Sequence, residues 1–420
     1  MQMENNKIRK IYTAFIVLLP LISVYASGVP GFTLGDILLV VFFLYRIVIS
    51  LKCKRLKISK TMEPILLLTM AIPVITMISL FGQEHIDIYN MAIRIVRCTF
   101  YYLSVAFASG EWFDISYGKK VAITVGKIGA IYLVIQYIAY YGGHIVLHGY
   151  LPFLPVYHES YAQLDYGEWY LYHNMFRPTS FLLEPAHFAR YLCIPLIFEL
   201  FDQDQGQKGG WLWPVAMSGA IIASTSGIGT ICTVIIWAIW FLNNTFGTFS
   251  TGKLNKKFVL LLGMIFCVAL VAIRTDIFQS TIYRITNSKL TNVNTAGGAR
   301  FRGYLEYFKL PFFNQIVGMG YGSTPNTDIP TWFSGASFML YGCGIVGFLI
   351  CIYMFVKLLL ASNDIRQRTV GIIFFMLFLM DDCFKSHVSV LYLSFMCATQ
   401  NNSSRNGNIL PNPGRGTTSI

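Results

Sequence analysis

The sequence predicts an all-α, polytopic membrane protein with about twelve transmembrane helices and two long outer loops, and three observations carry that prediction. Of 420 residues, 55% are hydrophobic and only 12% are charged, where a soluble domain carries about 25% charged residues. Apolar runs recur along the whole chain, many close to the length of about 20 residues that a helix needs to cross a bilayer core. The 32 Lys and Arg residues, against 20 Asp and Glu, give a net charge of +12 but sit mostly in short loops between those runs. A continuous basic face is lacking, so the charge fits membrane topology and not nucleic acid.

The runs, in order, are 11–26, 33–50, 64–81, 90–108, 121–141, 185–200, 211–225, 228–242, 258–273, 333–360, 369–381 and 387–399. The first follows a basic start (Lys7, Arg9, Lys10) with no small-residue cleavage site behind it, and reads as a retained first helix. An inside amino terminus puts Lys52, Lys54, Arg55, Lys57, Lys60, Lys119, Lys120, Lys253, Lys256, Lys257, Arg366 and Arg368 in cytoplasmic loops. The positive-inside bias selects that orientation, with both termini cytoplasmic. Residues 1–400 then form a single transmembrane domain, and the polar, Gly/Pro-rich stretch 401–420 a disordered cytoplasmic tail. The two long polar segments, about 142–183 and 274–332, fall on the same outer face. Both are rich in aromatic rings, including Tyr150, Tyr157, Tyr161, Tyr166, Trp169, Tyr170 and Tyr172, which suit sugar faces and the lipid interface alike. None of the nine cysteines lies in either segment, so no disulfide framework is implied.

Two stretches carry candidate chemistry. In the segment 177–191 (RPTSFLLEPAHFARY), Pro185 suits a first helical turn and Glu184 the helix start, where free N–H groups stabilise a carboxylate. His187 and Tyr191 share the helix face of Glu184, which makes Glu184 and His187 the candidate acid/base pair; the alternative is that Glu184 caps the helix or pairs Arg177. In 297–322, Arg300 and Tyr304 lie one helical turn apart, Arg302 points elsewhere, and Gly318, Gly320 and Gly322 form a tight turn. Guanidinium groups on an outer face fit a phosphate-bearing ligand, with headgroup snorkelling as the alternative. Arg94 and Arg97 within the fourth run, and Arg274, either extend that cradle or pair with Asp36, Asp381 or Asp382. Asp202-Gln-Asp204 has a DxD spacing but lacks a nucleotide-binding context, and His144, His148, His158 and His173 match no usual metal spacing. No metal or other cofactor is expected.

The motif RPTSFLLEPAHFARYL is similar to the R-x-x-S-x-x-x-E-P segment of bacterial polysaccharide polymerases of the Wzy type, within the wider group that includes O-antigen ligases. GGARFRGYLEYFKLPFFNQIVGMGYG resembles the group's Arg, aromatic and Gly-x-Gly pattern through Arg300, Tyr304, Gly318 and Gly320. WFSGASFMLYGCGIVGFL resembles its next span. The resemblance implies a GT-C-like membrane glycosyltransferase that moves a growing glycan from undecaprenyl pyrophosphate to a new lipid-linked repeat unit. It implies Glu184 as base with His187 beside it, pyrophosphate binding by Arg300, Arg177, Arg302, Arg94 and Arg97, and glycan binding by Tyr304. Its partners would be undecaprenyl-pyrophosphate-linked glycans, the lipid bilayer and a chain-length regulator protein. Ligases of the group carry a His shortly after the Gly-x-Gly turn; 323–332 (STPNTDIPTW) has none, which counts against a ligase. A lipid-linked oligosaccharide flippase is the rival from another class, disfavoured by two long aromatic segments on one face and by the absence of matched broken helices in the two halves.

Overall fold

The computed structural model describes residues 2–52, 62–81, 88–151, 153–157, 176–202, 210–249, 296–323, 333–362 and 364–398. Helices account for its regular structure: α1 (Gln2–Ile22), α2 (Leu34–Lys52), α3 (Glu63–Ser79), α4 (Ile88–Ser104), α5 (Ile115–Gly143), α6 (Pro185–Asp202) and α7 (Leu212–Ala223). They continue with α8 (Gly227–Phe249), α9 (Ala296–Phe308), α10 (Phe312–Val317), α11 (Gly335–Ala361), α12 (Ile365–Met380) and α13 (Val388–Cys397). Every apolar run read from the sequence is occupied by a helix except 258–273, which lies outside the described residues. Among the described residues, five helical stretches are long and apolar enough to cross a membrane: Leu34–Lys52, Met91–Trp112, Ile115–Gly143, Gly227–Asn244 and Gly335–Ala361. Their outward faces carry Val41, Leu44, Val96, Ile138, Val234 and Leu349 in exposed positions. Water would penalise that arrangement, whereas hydrocarbon accommodates it.

Local chemistry accounts for the helix boundaries. Asp114 caps α5 by accepting from the Ser116 and Tyr117 amides at 3.0 and 3.1 Å; Ser334 does the same for α11 and Asp364 for α12. α1 stops at Ile22, short of the predicted end, because Val24 to Ala26 leave the helix to bond the 155–157 segment: Ala26 N to Pro155 O and Tyr157 N to Val24 O, both at 2.8 Å. α4 runs into a π turn at Val105–Ser109, where Ser109 Oγ meets Tyr12 Oη at 2.9 Å and Ser394 Oγ at 2.7 Å. One widened turn thereby joins α1, α4 and α13.

α6 is the buried axis. From Phe188 to Phe198 every side chain is buried, as expected for a helix that is apolar all round. α5, α7, α8 and α12 surround it. At the α8 crossing a Cβ on Gly229 would lie 2.4 Å from Ala189 Cβ, so only glycine permits that approach. At the carboxyl end of α6, Asp202 is bound by Lys119 at the start of α5 and, at 2.8 Å, by Arg366 at the start of α12. The amino end of α6 lies at the other end of the bundle, with the carboxyl end of α12. Both long polar segments approach that same end: 155–157 bonds Val24 and Ala26, and Tyr321 N donates to Thr76 Oγ1 near the end of α3 at 3.1 Å.

Candidate functional site

The chain enters α6 through a pinned turn. Ser180, with φ of 51°, donates its N–H to Gln136 Oε1 at 2.9 Å and its hydroxyl to Gly129 O at 2.8 Å. Gln136 Nε2 in turn donates to Leu147 O at 2.8 Å. Phe181 stacks on Tyr132 with ring centroids 5.0 Å apart. These contacts fix the direction from which Glu184 reaches the helix start, where its carbonyl accepts from Phe188 N at 3.1 Å. Pro185 supplies the first helical residue, as the sequence predicts. Glu184 Oε2 and His187 Nε2 are 3.7 Å apart, and each side chain is about a third exposed (28% and 34%). The predicted pair is therefore adjacent and partly exposed.

One turn further on, Arg190 is almost fully buried. Its Nη1 donates to Asp382 Oδ1 at 2.6 Å and lies 3.2 Å from Asp381 Oδ2; its carbonyl accepts the Tyr392 hydroxyl at 2.7 Å. Among the described residues, the Arg190 Nε and the His387 Nδ1, both buried atoms, have no hydrogen-bond partner. Burial acts to raise the Asp382 carboxyl, but the charges of Arg190, Lys385 and His187 outweigh it and hold the group well below the usual carboxylate range. His187 lies within electrostatic reach of Arg190, Asp381 and Asp382, and His387 within reach of Arg97, His187 and Arg190. The turn from Asp381 to His387 (DDCFKSH) thus packs its charged side chains against the start of α6.

α9 reaches the same turn. The Tyr304 hydroxyl donates to Leu379 O at 2.8 Å and accepts from Ser334 Oγ at 3.2 Å, while Gly335 N donates to Asp381 O at 2.7 Å. Burial pushes the Tyr304 hydroxyl up, partly countered by Ser334. Tyr304 is thereby tied to the last turn of α12, and the turn that follows, through Asp381 and Asp382, holds Arg190 of α6. Family models, curated proteins and solved structures return no match to this chain. The site is read from its own geometry.

The other predicted residues have separate partners. Arg177 Nε donates to Thr225 Oγ1 at 3.0 Å, and Arg94 Nη1 to Gly322 O at 2.8 Å. Arg97 lies 3.3 Å from Asp36 Oδ2 and donates to the Tyr101 hydroxyl at 2.9 Å, so the pairing alternative describes it. Arg302 lies 3.3 Å from Glu306, which also receives Lys309 at 2.9 Å. Arg300 is in α9, and its side chain lies outside the described residues. The glycine turn is a packing device: Gly318 has φ of 78°, and a Cβ there would lie 2.3 Å from Gly342 O of α11. Asp202 of the DxD spacing is an ion-pair residue at the far end. His144 caps α5, and His158 and His173 lie outside the described residues. Among the described residues no group of three or more His, Cys, Asp or Glu is placed to hold a metal ion.

Sequence reasoning missed Arg190, Lys385 and His387, and treated Asp381 and Asp382 only as partners for other arginines. The signal was present. An arginine inside an apolar run, and a seven-residue charged turn between two apolar runs, are each costly in a bilayer unless paired or functional.

Proposed function

We propose that the protein is a metal-independent membrane glycosyltransferase that polymerises undecaprenyl-pyrophosphate-linked oligosaccharide repeat units on the outer face of the bacterial cytoplasmic membrane. The growing glycan moves to a hydroxyl of a newly arrived lipid-linked unit. The acceptor oxygen forms a bond to the anomeric carbon as the anomeric C–O bond to phosphate breaks, and the pyrophosphate leaves with that electron pair. The acceptor proton passes to Glu184, with His187 orienting the carboxylate; general base catalysis of this kind contributes about 10²- to 10⁴-fold. Arg300, backed by Arg177 and Arg302, would neutralise the departing diphosphate, since guanidinium forks match phosphate oxygens.

The observation that supports this reading most strongly is the adjacency of Glu184 and His187 at a partly exposed helix start, with Tyr304, one turn from Arg300, bonded to the end of α12 whose following turn holds Arg190 of α6. A base and the helix that bears the anion-binding motif share one end of the bundle. The test uses the purified protein in phospholipid vesicles with undecaprenyl-pyrophosphate-linked oligosaccharide and no nucleotide sugar. A ladder of repeat-unit multiples is expected, and Arg300→Lys should shorten it sharply because a point charge cannot replace two directed donors. Movement of unaltered substrate across the bilayer without a ladder would replace the enzyme by a transporter.

A further inference from the structure

α9 is turned inside out relative to a helix that faces water. Phe301, Leu305 and Phe308 recur at helical spacing on one exposed stripe, and Phe312 and Phe313 of α10 continue the exposed apolar surface. The opposite face is buried and holds Gly303, Glu306 and Tyr307. That face is seated closely on the start of α11: a Cβ on Gly303 would lie 2.7 Å from Ser337 Oγ and 2.8 Å from Phe333 Cδ1. Tyr307 donates its hydroxyl to Gln315 O at 3.0 Å, which folds α10 back against α9. Glu306 and the Tyr307 hydroxyl therefore point into the protein and the phenylalanines point away.

With 13 residues, α9 rises about 20 Å, too short for a hydrocarbon core of about 30 Å. It packs against α11, as does α10, and α11 is long and apolar enough to cross a membrane, with Ile345, Val346 and Leu349 exposed along it. Lys309, exposed, and the largely buried Arg302 lie on one side of the α9 stripe and both pair with Glu306. From the reversed polarity, the short length and the continuity with α11, we infer that α9 and α10 form an interfacial wedge sunk into one leaflet of the bilayer. Its apolar stripe contacts lipid acyl chains, and its other side carries Tyr304 to the last turn of α12. This inference stands apart from the polymerase reading, since it concerns the solvent of one surface and no chemical step.

The test places the photoreactive residue benzoylphenylalanine at Phe308, at Phe312 and, as a control, at the buried Tyr307. Each full-length protein is reconstituted in vesicles of phosphatidylcholine and phosphatidylglycerol, illuminated, and digested for mass spectrometry. Phospholipid adducts are expected on the peptides bearing positions 308 and 312, and only adducts within the protein at 307. Adducts from 308 and 312 to another segment of the chain or to a second copy, or recovery of both positions without any adduct, would overturn the wedge. Lipid adducts at 308 and 312 in a protein that makes no glycan ladder would sustain it while removing the polymerase reading.

Discussion

The two ends of α6 carry similar charges and use them differently. At the carboxyl end, Asp202 is held by Lys119 and Arg366, and Arg366 is also bonded to both oxygens of Asp364 at 3.0 Å. Two cations and two carboxylates neutralise one another there, and they join three helix ends. At the amino end, Arg190 binds Asp381 and Asp382 with one nitrogen while its Nε has no partner among the described residues, and Glu184 and His187 beside it are partly exposed. The difference separates a staple, in which every charge is spent on a neighbour, from an end where a buried ion pair lies beside the partly exposed Glu184 and His187.

The comparison can be broken at Arg190 first. Arg190→Leu leaves two carboxylates at the end of α12 without their cation, and loss of one partner of a buried pair costs about 3–5 kcal/mol. Thermal unfolding in detergent should show the largest loss of any variant here, with activity lost as well; an unchanged melting temperature would mean that the pair does not hold α6 to α12. A smaller effect is expected from Asp202→Asn at the opposite end, because its partners Lys119 and Arg366 are partly exposed (22% and 19%). Both cations can turn toward solvent when the carboxylate is lost, so the melting temperature should fall less than in Arg190→Leu while chain extension continues at the normal rate. Lost extension in Asp202→Asn would dissolve the distinction between the ends.

The smallest effect is one of pH. Asp382 is held below its ordinary value, so the stabilisation it gives is complete above the unfolded carboxylate value of about 3.9 and is lost only as pH falls through the lower folded value. The difference in melting temperature between the native protein and Asp382→Asn should be constant from about pH 5 upward and shrink below about pH 4. A difference that varied through pH 6–7 would point to His187 or His387 as the controlling group.

The helices were legible in the sequence because apolar length is a local property. Pro185 marked the start of α6, and the pairing of Glu184 with His187 followed from helical spacing alone. What could not be read was whatever depends on chain segments far apart. Arg190 and Asp382 are 192 residues distant, and nothing near either names the other. Arg97 showed two options, Asp36 or a ligand, and only the packing of α4 on α2 decides for Asp36. The π turn in α4 was invisible for the same reason, since its Ser109 answers to Tyr12 and Ser394 from two other helices. The inverted polarity of α9 was equally out of reach: the phenylalanines were in view, but which face meets α11 depends on Gly303 and Ser337.

The claim that one end of α6 works while the other holds is tested most directly by Glu184→Gln, which keeps size and hydrogen-bonding shape but removes the base. In vesicles supplied with lipid-pyrophosphate-linked oligosaccharide, this variant should unfold at the native temperature yet extend chains at least about 10²-fold more slowly. A Glu184→Gln protein that builds the full ladder at the native rate would contradict the account.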